Sequence, residues 1–170
     1  MMQAIKDLRK LFRPGFVHTA LLLAIAACMI DQLTKQLVLF HLADGTKLTV
    51  TPFMDFVLIW NTGVSYGFFG GNGNAGRLAI IALSLIICVV LLVMMVRTNS
   101  RYYGVGLALI LGGAVGNILD RMIYGGVIDF ISLHAAGYYW YVFNIADVWI
   151  TLGVVSVIVD GFLPDRNEGL

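Results

Sequence analysis

Charge is what this chain has least of. Only 12% of its 170 residues are Asp, Glu, Lys or Arg, about half the share of an ordinary soluble domain. Hydrophobic residues make up 59%, and mean hydropathy is +0.88. That much apolar surface needs lipid to face, which excludes an ordinary soluble domain and predicts an integral membrane protein. A net charge of +1 leaves no basic footprint for nucleic acid. Cysteine is almost absent too: Cys28 and Cys88 both fall in apolar runs, give no disulfide framework, and read as small buried side chains. No Asn-x-Ser/Thr sequon occurs, so glycosylation gives no clue to the compartment.

What is present is apolar and segmented. A span needs about 20 mostly apolar residues at ~1.5 Å rise each. Four stretches qualify, at about 16–40, 78–96, 102–123 and 147–162. They predict an all-α membrane protein of one domain, residues 1–170, with four transmembrane helices. Lys6, Arg9, Lys10 and Arg13 before the first span, with Arg97 and Arg101 after the second, place both termini on the cytoplasmic side. The opposite side holds only Lys47 and Arg77. Residues 41–76 there contain strand-type runs, Leu48-Thr49-Val50 and Phe56-Val57-Leu58-Ile59-Trp60, and predict a small extracytoplasmic β-rich element. Residues 124–146 read as a short aromatic loop with one interfacial helix, Tyr138-Tyr139-Trp140-Tyr141 serving as an aromatic belt. The tail from Pro164 to Glu168 reads as polar and mobile.

The few polar residues inside the apolar sequence converge. Asp129 follows the outer end of span three and Asp147 opens span four, with 17 residues between them to fold back. Span one adds Asp31 and Lys35, four apart and so on one helical face. Asp31 lies ~22 Å along that helix, again in the outer half of the bilayer. Asn61, Asn117, Arg121 and Asn144 fall in the same zone, while the inner halves hold almost nothing polar. Ionisable groups at membrane depth are costly and read as a functional site. Two carboxylates about 3 Å apart cannot both ionise, so they share a proton and can hydrolyse a peptide bond through an activated water. Such a dyad needs no metal, cofactor or covalent intermediate, and it titrates as a unit. Bland alternatives stand beside this reading. Asp129 with Arg121 would make a self-neutralising ion pair, Asp147 would cap a helix, and Asp120 would pair with its neighbour Arg121. Asp31 and Lys35 would either pair structurally or touch substrate.

At these residues the chain resembles the lipoprotein signal peptidases, or signal peptidase II, bacterial inner-membrane aspartyl proteases with four spans. The matching segments are Asp31-Gln32-Leu33-Thr34-Lys35, Asn61-Thr62-Gly63-Val64-Ser65-Tyr66-Gly67, Gly116-Asn117 through Asp129-Phe130, and Phe143-Asn144-Ile145-Ala146-Asp147, in the family's order. The resemblance implies Asp129 and Asp147 as the catalytic pair, with Asp31, Lys35, Asn61, Asn117, Arg121 and Asn144 lining or supporting the site. It implies a prolipoprotein substrate carrying diacylglycerol on its cysteine, cut on the amino side of that cysteine, and a cleft open to globomycin. Tyr66, where the family often has Phe, and Tyr141-Val142, where Pro-Ala is frequent, depart from the pattern. Nothing in the sequence demands more than a monomer.

Other patterns suggest other functions and fit less well. Gly63-Val64-Ser65-Tyr66-Gly67 has the form of a nucleophile elbow, which needs strand–turn–helix context and a histidine; the chain has His18, His41 and His134. Gly71-Asn72-Gly73-Asn74-Ala75-Gly76 has the form of a dinucleotide fingerprint but lacks a βαβ unit. Ile25-Ala26-Ala27-Cys28 looks like a lipobox, yet cleavage there would destroy span one. Gly112 and Gly116 form a small-xxx-small packing pair. The rival function is a proton- or ion-coupled transporter in which the four charged residues Asp31, Lys35, Asp129 and Asp147 relay charge. Transport needs access from both sides, and neither inner polar lining nor an inverted repeat is visible. A non-enzymatic assembly factor would have no use for the paired motifs.

Overall fold

The structure, a computed structural model, describes residues 14–63 and 74–163. In chain order these form α1 (Pro14–Leu42), β1 (Leu48–Thr51), β2 (Met54–Asn61), α2 (Asn74–Arg97), α3 (Arg101–Ile123), β3 (Val127–Ala135), β4 (Tyr138–Phe143) and α4 (Ile145–Phe162). The basic N-terminal residues, the stretch from Val64 to Gly73 and the polar tail lie outside the described residues. So do Ser65 and Tyr66, and with them the serine-elbow reading.

Each of the four helices is long and apolar enough to cross a membrane. The chain is a multi-pass membrane protein with a small antiparallel sheet. α3 is the central helix and packs against the other three. Water drives little helix association inside lipid, so close approach between small residues supplies the contact. Gly106 of α3 meets Gly153 of α4 backbone to backbone, and Gly112 lies against the Ala24 carbonyl of α1. By contrast α2 buries only Gly76, Cys88 and Met95, leaving side chains such as Leu83, Ile86 and Val89 exposed. That helix presents its apolar surface outward, to lipid.

The sheet has the order β1-β2-β3-β4 with every neighbour antiparallel. Residues 124–146 were predicted to hold a loop and an interfacial helix. They form the hairpin β3–β4 instead. Val127, Ile128, Phe130 and Ile131 are β-formers with no helical period. The two-residue turn Ala136-Gly137 has both residues at positive φ (49° and 82°), the twist that suits a tight hairpin. β3 is buried along Val127–Ser132, sandwiched between β2 and β4, and Ile128 and Phe130 pack with Val38 and Leu42 of α1. Tyr138, Tyr139, Trp140 and Tyr141 of β4 are all strongly exposed. The aromatic cluster is therefore a strand edge and not packing filler.

Asp55 on β2 fastens the end of the sheet away from the dyad. It accepts from Lys47 Nζ at 2.9 Å and faces His134 Nε2 at 3.1 Å. The Lys47 hydrogen bond holds the Asp55 carboxyl below its usual range, and neighbouring Thr49 adds to this.

Candidate functional site

Eight polar side chains meet where α1, α3 and the start of α4 approach β2 and β3. Asp31 lies about four turns into the predicted first span, and α3 lets that carboxylate in because position 116 is glycine. A Cβ there would collide with Asp31 Oδ2. Asp31 is fully buried, takes a hydrogen bond from the Ala146 backbone N–H at 2.8 Å, and pairs with Lys35 Nζ at 2.8 Å. Lys35, also fully buried, pairs with Asp120 at 2.7 Å. Asp120 in turn accepts from Gln32 Nε2 at 2.9 Å and from the Ile128 N–H at 3.2 Å, which anchors the first turn of β3 to α3. The expected Asp120–Arg121 pair does not form: adjacent helical residues point apart, and Asp120 faces α1.

Asp129 and Asp147 are held differently. Asp129, 2% exposed, accepts from Asn61 Nδ2 at 2.8 Å and from Asn144 Nδ2 at 2.6 Å. Asp147 accepts from Asn117 Nδ2 at 3.1 Å and from the Asn144 N–H at 3.2 Å. Asn144 thus bonds both carboxylates. It is also the N-cap of α4, and its Oδ1 takes the Asp147 N–H at 3.1 Å, closing a capping box with Asp147 at N3. The capping alternative for Asp147 is correct in part, since one carboxylate oxygen does serve the helix end. The other oxygen faces Asn117. Among the described residues, neither Asp129 nor Asp147 forms an ion pair. Arg121 makes no ion-pair contact with Asp129, though the charges of Asp129 and Asp147 act on it; its Nη1 donates to the Asn117 carbonyl at 3.2 Å, and its far edge packs beside Gly63. Burial pushes the Asp129 carboxyl up from its usual value, and the nearby Asp147 charge pushes the same way, against the two amide hydrogen bonds.

All eight predicted site residues, Asp31, Lys35, Asn61, Asn117, Arg121, Asp129, Asn144 and Asp147, come together. Sequence reasoning did not name Gln32, which donates to Asp120 and to the Gly116 carbonyl at 3.2 Å. Its place between Asp31 and Lys35, in the polar stretch of an apolar span, was the available signal. Above Asp129 lies an open cavity of about 530 Å³, walled by Trp60 and Asn61 on β2 and by Trp140 and Tyr141 on β4. No group of three or more His, Cys, Asp or Glu suited to a metal ion occurs among the described residues.

A family model described as "Signal peptidase (SPase) II" matches residues 23–163, which include every one of these side chains. The chain belongs to the signal peptidase II family. Among its relatives is a lipoprotein signal peptidase of Methylobacterium radiotolerans, 46% identical over 163 residues that cover 92% of this chain and 90% of the relative. A lipoprotein signal peptidase of Rhodopseudomonas palustris is 44% identical over 153 residues, covering 86% and 93%. A bacterial membrane enzyme solved by the in meso method superposes with a TM-score of 0.76 at 28% identity, covering 90% of this chain and 96% of that one. Membership makes this signal peptidase II homologue a membrane-embedded protease.

Proposed function

We propose that this chain removes the signal peptides of lipoproteins, using Asp129 and Asp147 as an aspartyl dyad. The observation that carries the reading is the amide-lined setting of these two carboxylates, neither of which forms an ion pair among the described residues. Two neighbouring carboxylates, Asp129 buried and Asp147 half-buried, are bonded by neutral amides and a backbone N–H, and one proton is shared between them. The ionised member takes a proton from a water molecule, which attacks the scissile carbonyl. The neutral member hydrogen-bonds the carbonyl oxygen as it gains charge. Its proton then stays available for the departing amine, and the pair returns to the singly protonated state. No metal or covalent intermediate enters this sequence.

The substrate class is a prolipoprotein bearing diacylglycerol on the cysteine that follows the cleaved bond. Acyl chains hold such a segment at the bilayer interface by about 0.8 kcal/mol per buried CH₂. The cavity over Asp129 opens between the aromatic residues Trp60, Trp140 and Tyr141, side chains that favour that depth. Asn61 lines it and Arg121 lies behind Gly63 of its wall, placed to bind an extended backbone whose polar groups cannot stay unpaired in lipid. The sheet then lies on the extracytoplasmic side of the inner membrane, with both termini cytoplasmic, and a monomer suffices. Lipid and the lipidated precursor are the partners. A transporter is not favoured: Lys35 is held between Asp31 of α1 and Asp120 of α3, and family membership points to peptide cleavage.

The test is incubation of purified protein with a lipidated precursor peptide and its unlipidated twin, with and without globomycin. Cleavage of the lipidated peptide alone, blocked by globomycin, is expected. Equal cleavage of both peptides would remove the lipid from the recognition.

A further inference from the structure

The three asparagines of the site have amide orientations that are fixed, and each is fixed by a group that can only donate. Asn61 Oδ1 accepts the Gly63 N–H at 2.9 Å, so its Nδ2 faces Asp129. Asn144 Oδ1 accepts the Asp147 N–H, so its Nδ2 faces Asp129 and the Asn117 oxygen, the latter at 3.3 Å. Asn117 Oδ1 accepts from Lys35 Nζ at 2.9 Å, so its Nδ2 faces Asp147. An ammonium has three donors and no acceptor, which leaves Asn117 no alternative. Two of these locks are backbone N–H groups. The third is the buried side chain Lys35, and it is a cation.

That difference makes the two carboxylates unequal. Asp147 lies in the first turn of α4, where the helix dipole favours an anion, and its Asn117 partner is polarised by the Lys35 charge. Asp129 has shorter hydrogen bonds, but from amides that no cation touches, and it is the more buried of the two. Building on the dyad reading, we propose that Lys35 is a positioning residue: by orienting and polarising Asn117 it makes Asp147 the ionised, water-activating member and leaves the shared proton on Asp129. The groups that bear on this titration are Asp31 and Lys35 of α1, Asp120 and Arg121 of α3, Asp129 of β3 and Asp147 itself.

The test is the pH dependence of kcat and KM for a lipidated precursor. Lys35→Met alone would strand two buried carboxylates, so it is combined with Asp120→Asn to remove one charge of each sign. The expected result is a roughly tenfold or larger fall in kcat, KM little changed, and the acidic limb of the profile moved to higher pH, because the base has lost its stabilising donor. Lys35→Arg, which still donates, should return the limb toward its original position. Should the paired variant fail to fold, Asn117→Asp supplies the second measurement; it replaces the donor facing Asp147 with a negative charge of the same shape and should move the limb the same way. A folded variant of either kind with the wild-type limb and kcat would reduce Lys35 to a structural counter-ion. Activity surviving in Asp129→Asn and Asp147→Asn would instead defeat the dyad reading itself, so the two failures are distinguishable.

Discussion

Two pairs of carboxylates lie side by side in this protein and are held in opposite ways; Asp31, Asp120 and Asp129 are buried and Asp147 is half-buried. Asp31 and Asp120 share the ammonium of Lys35, and each has a backbone N–H besides. Asp129 and Asp147 have asparagine donors and form no ion pair among the described residues. Both arrangements satisfy their hydrogen bonds. Only the second lacks an ion pair among the described residues, and on the proposed dyad mechanism it is the pair that shares a proton. The first pair fastens α1 to α3, β3 and α4; the second, the proposed dyad, is held within that frame.

Substitutions that break the comparison should rank accordingly. Asp129→Asn or Asp147→Asn should lower kcat by about four or more orders of magnitude, as loss of one member of a catalytic unit does, while the folded yield stays normal. Assays of cleavage beside gel-filtration profiles in detergent check this. Lys35→Met should act the other way round. It leaves an uncompensated buried charge, costs about 3–5 kcal/mol and shows first as loss of folded protein. Denaturant titration in mixed micelles measures it. Gly116→Ala should cost about 1–3 kcal/mol by pushing a methyl into Asp31, with activity falling only as far as the site is displaced.

A subtler contrast lies in pH. Burial raises the folded-state pKa of Asp129, so between the ordinary carboxyl pKa and that raised value the folded protein binds more protons than the unfolded one. Its contribution to stability therefore declines as pH rises through this window. Asp129→Asn should match or exceed the wild type in Tm at neutral pH, with the difference shrinking as pH falls through the window. A Tm difference that is constant with pH would mean that Asp129 is not perturbed. Asp55→Asn, at the far end of the sheet and away from the dyad, should give the smallest effect: a slight drop in Tm with kcat unchanged.

Much of this was legible in the sequence because polar residues in an apolar chain have few places to go. Asp31, Lys35, Asn117, Asp129, Asn144 and Asp147 stood out against their surroundings, and the four helices followed from apolar runs of sufficient length. The ranges extended by a turn or less, since caps such as Ser100 and Asn144 are set by local geometry. The β3–β4 hairpin was missed because its aromatic residues fit a membrane interface equally well, and strand pairing is a property of two segments at once. Partner choice was missed for the same reason. Whether Asp120 meets Arg121 or Lys35 depends on which helix face α1 approaches, and that is set by Gly112 and Gly116. The charged residues and the pairing of Asp129 with Asp147 were visible; the neutralised pair that Asp31 and Asp120 make on Lys35 was not.

The most direct measurement compares kcat/KM for a lipidated precursor in Asp129→Asn, in Asp147→Asn and in the double variant. If the two side chains act as one unit, the double variant should be no more than marginally slower than either single one. Losses that multiply, or substantial turnover by Asp147→Asn, would contradict a shared proton and return these residues to a structural role.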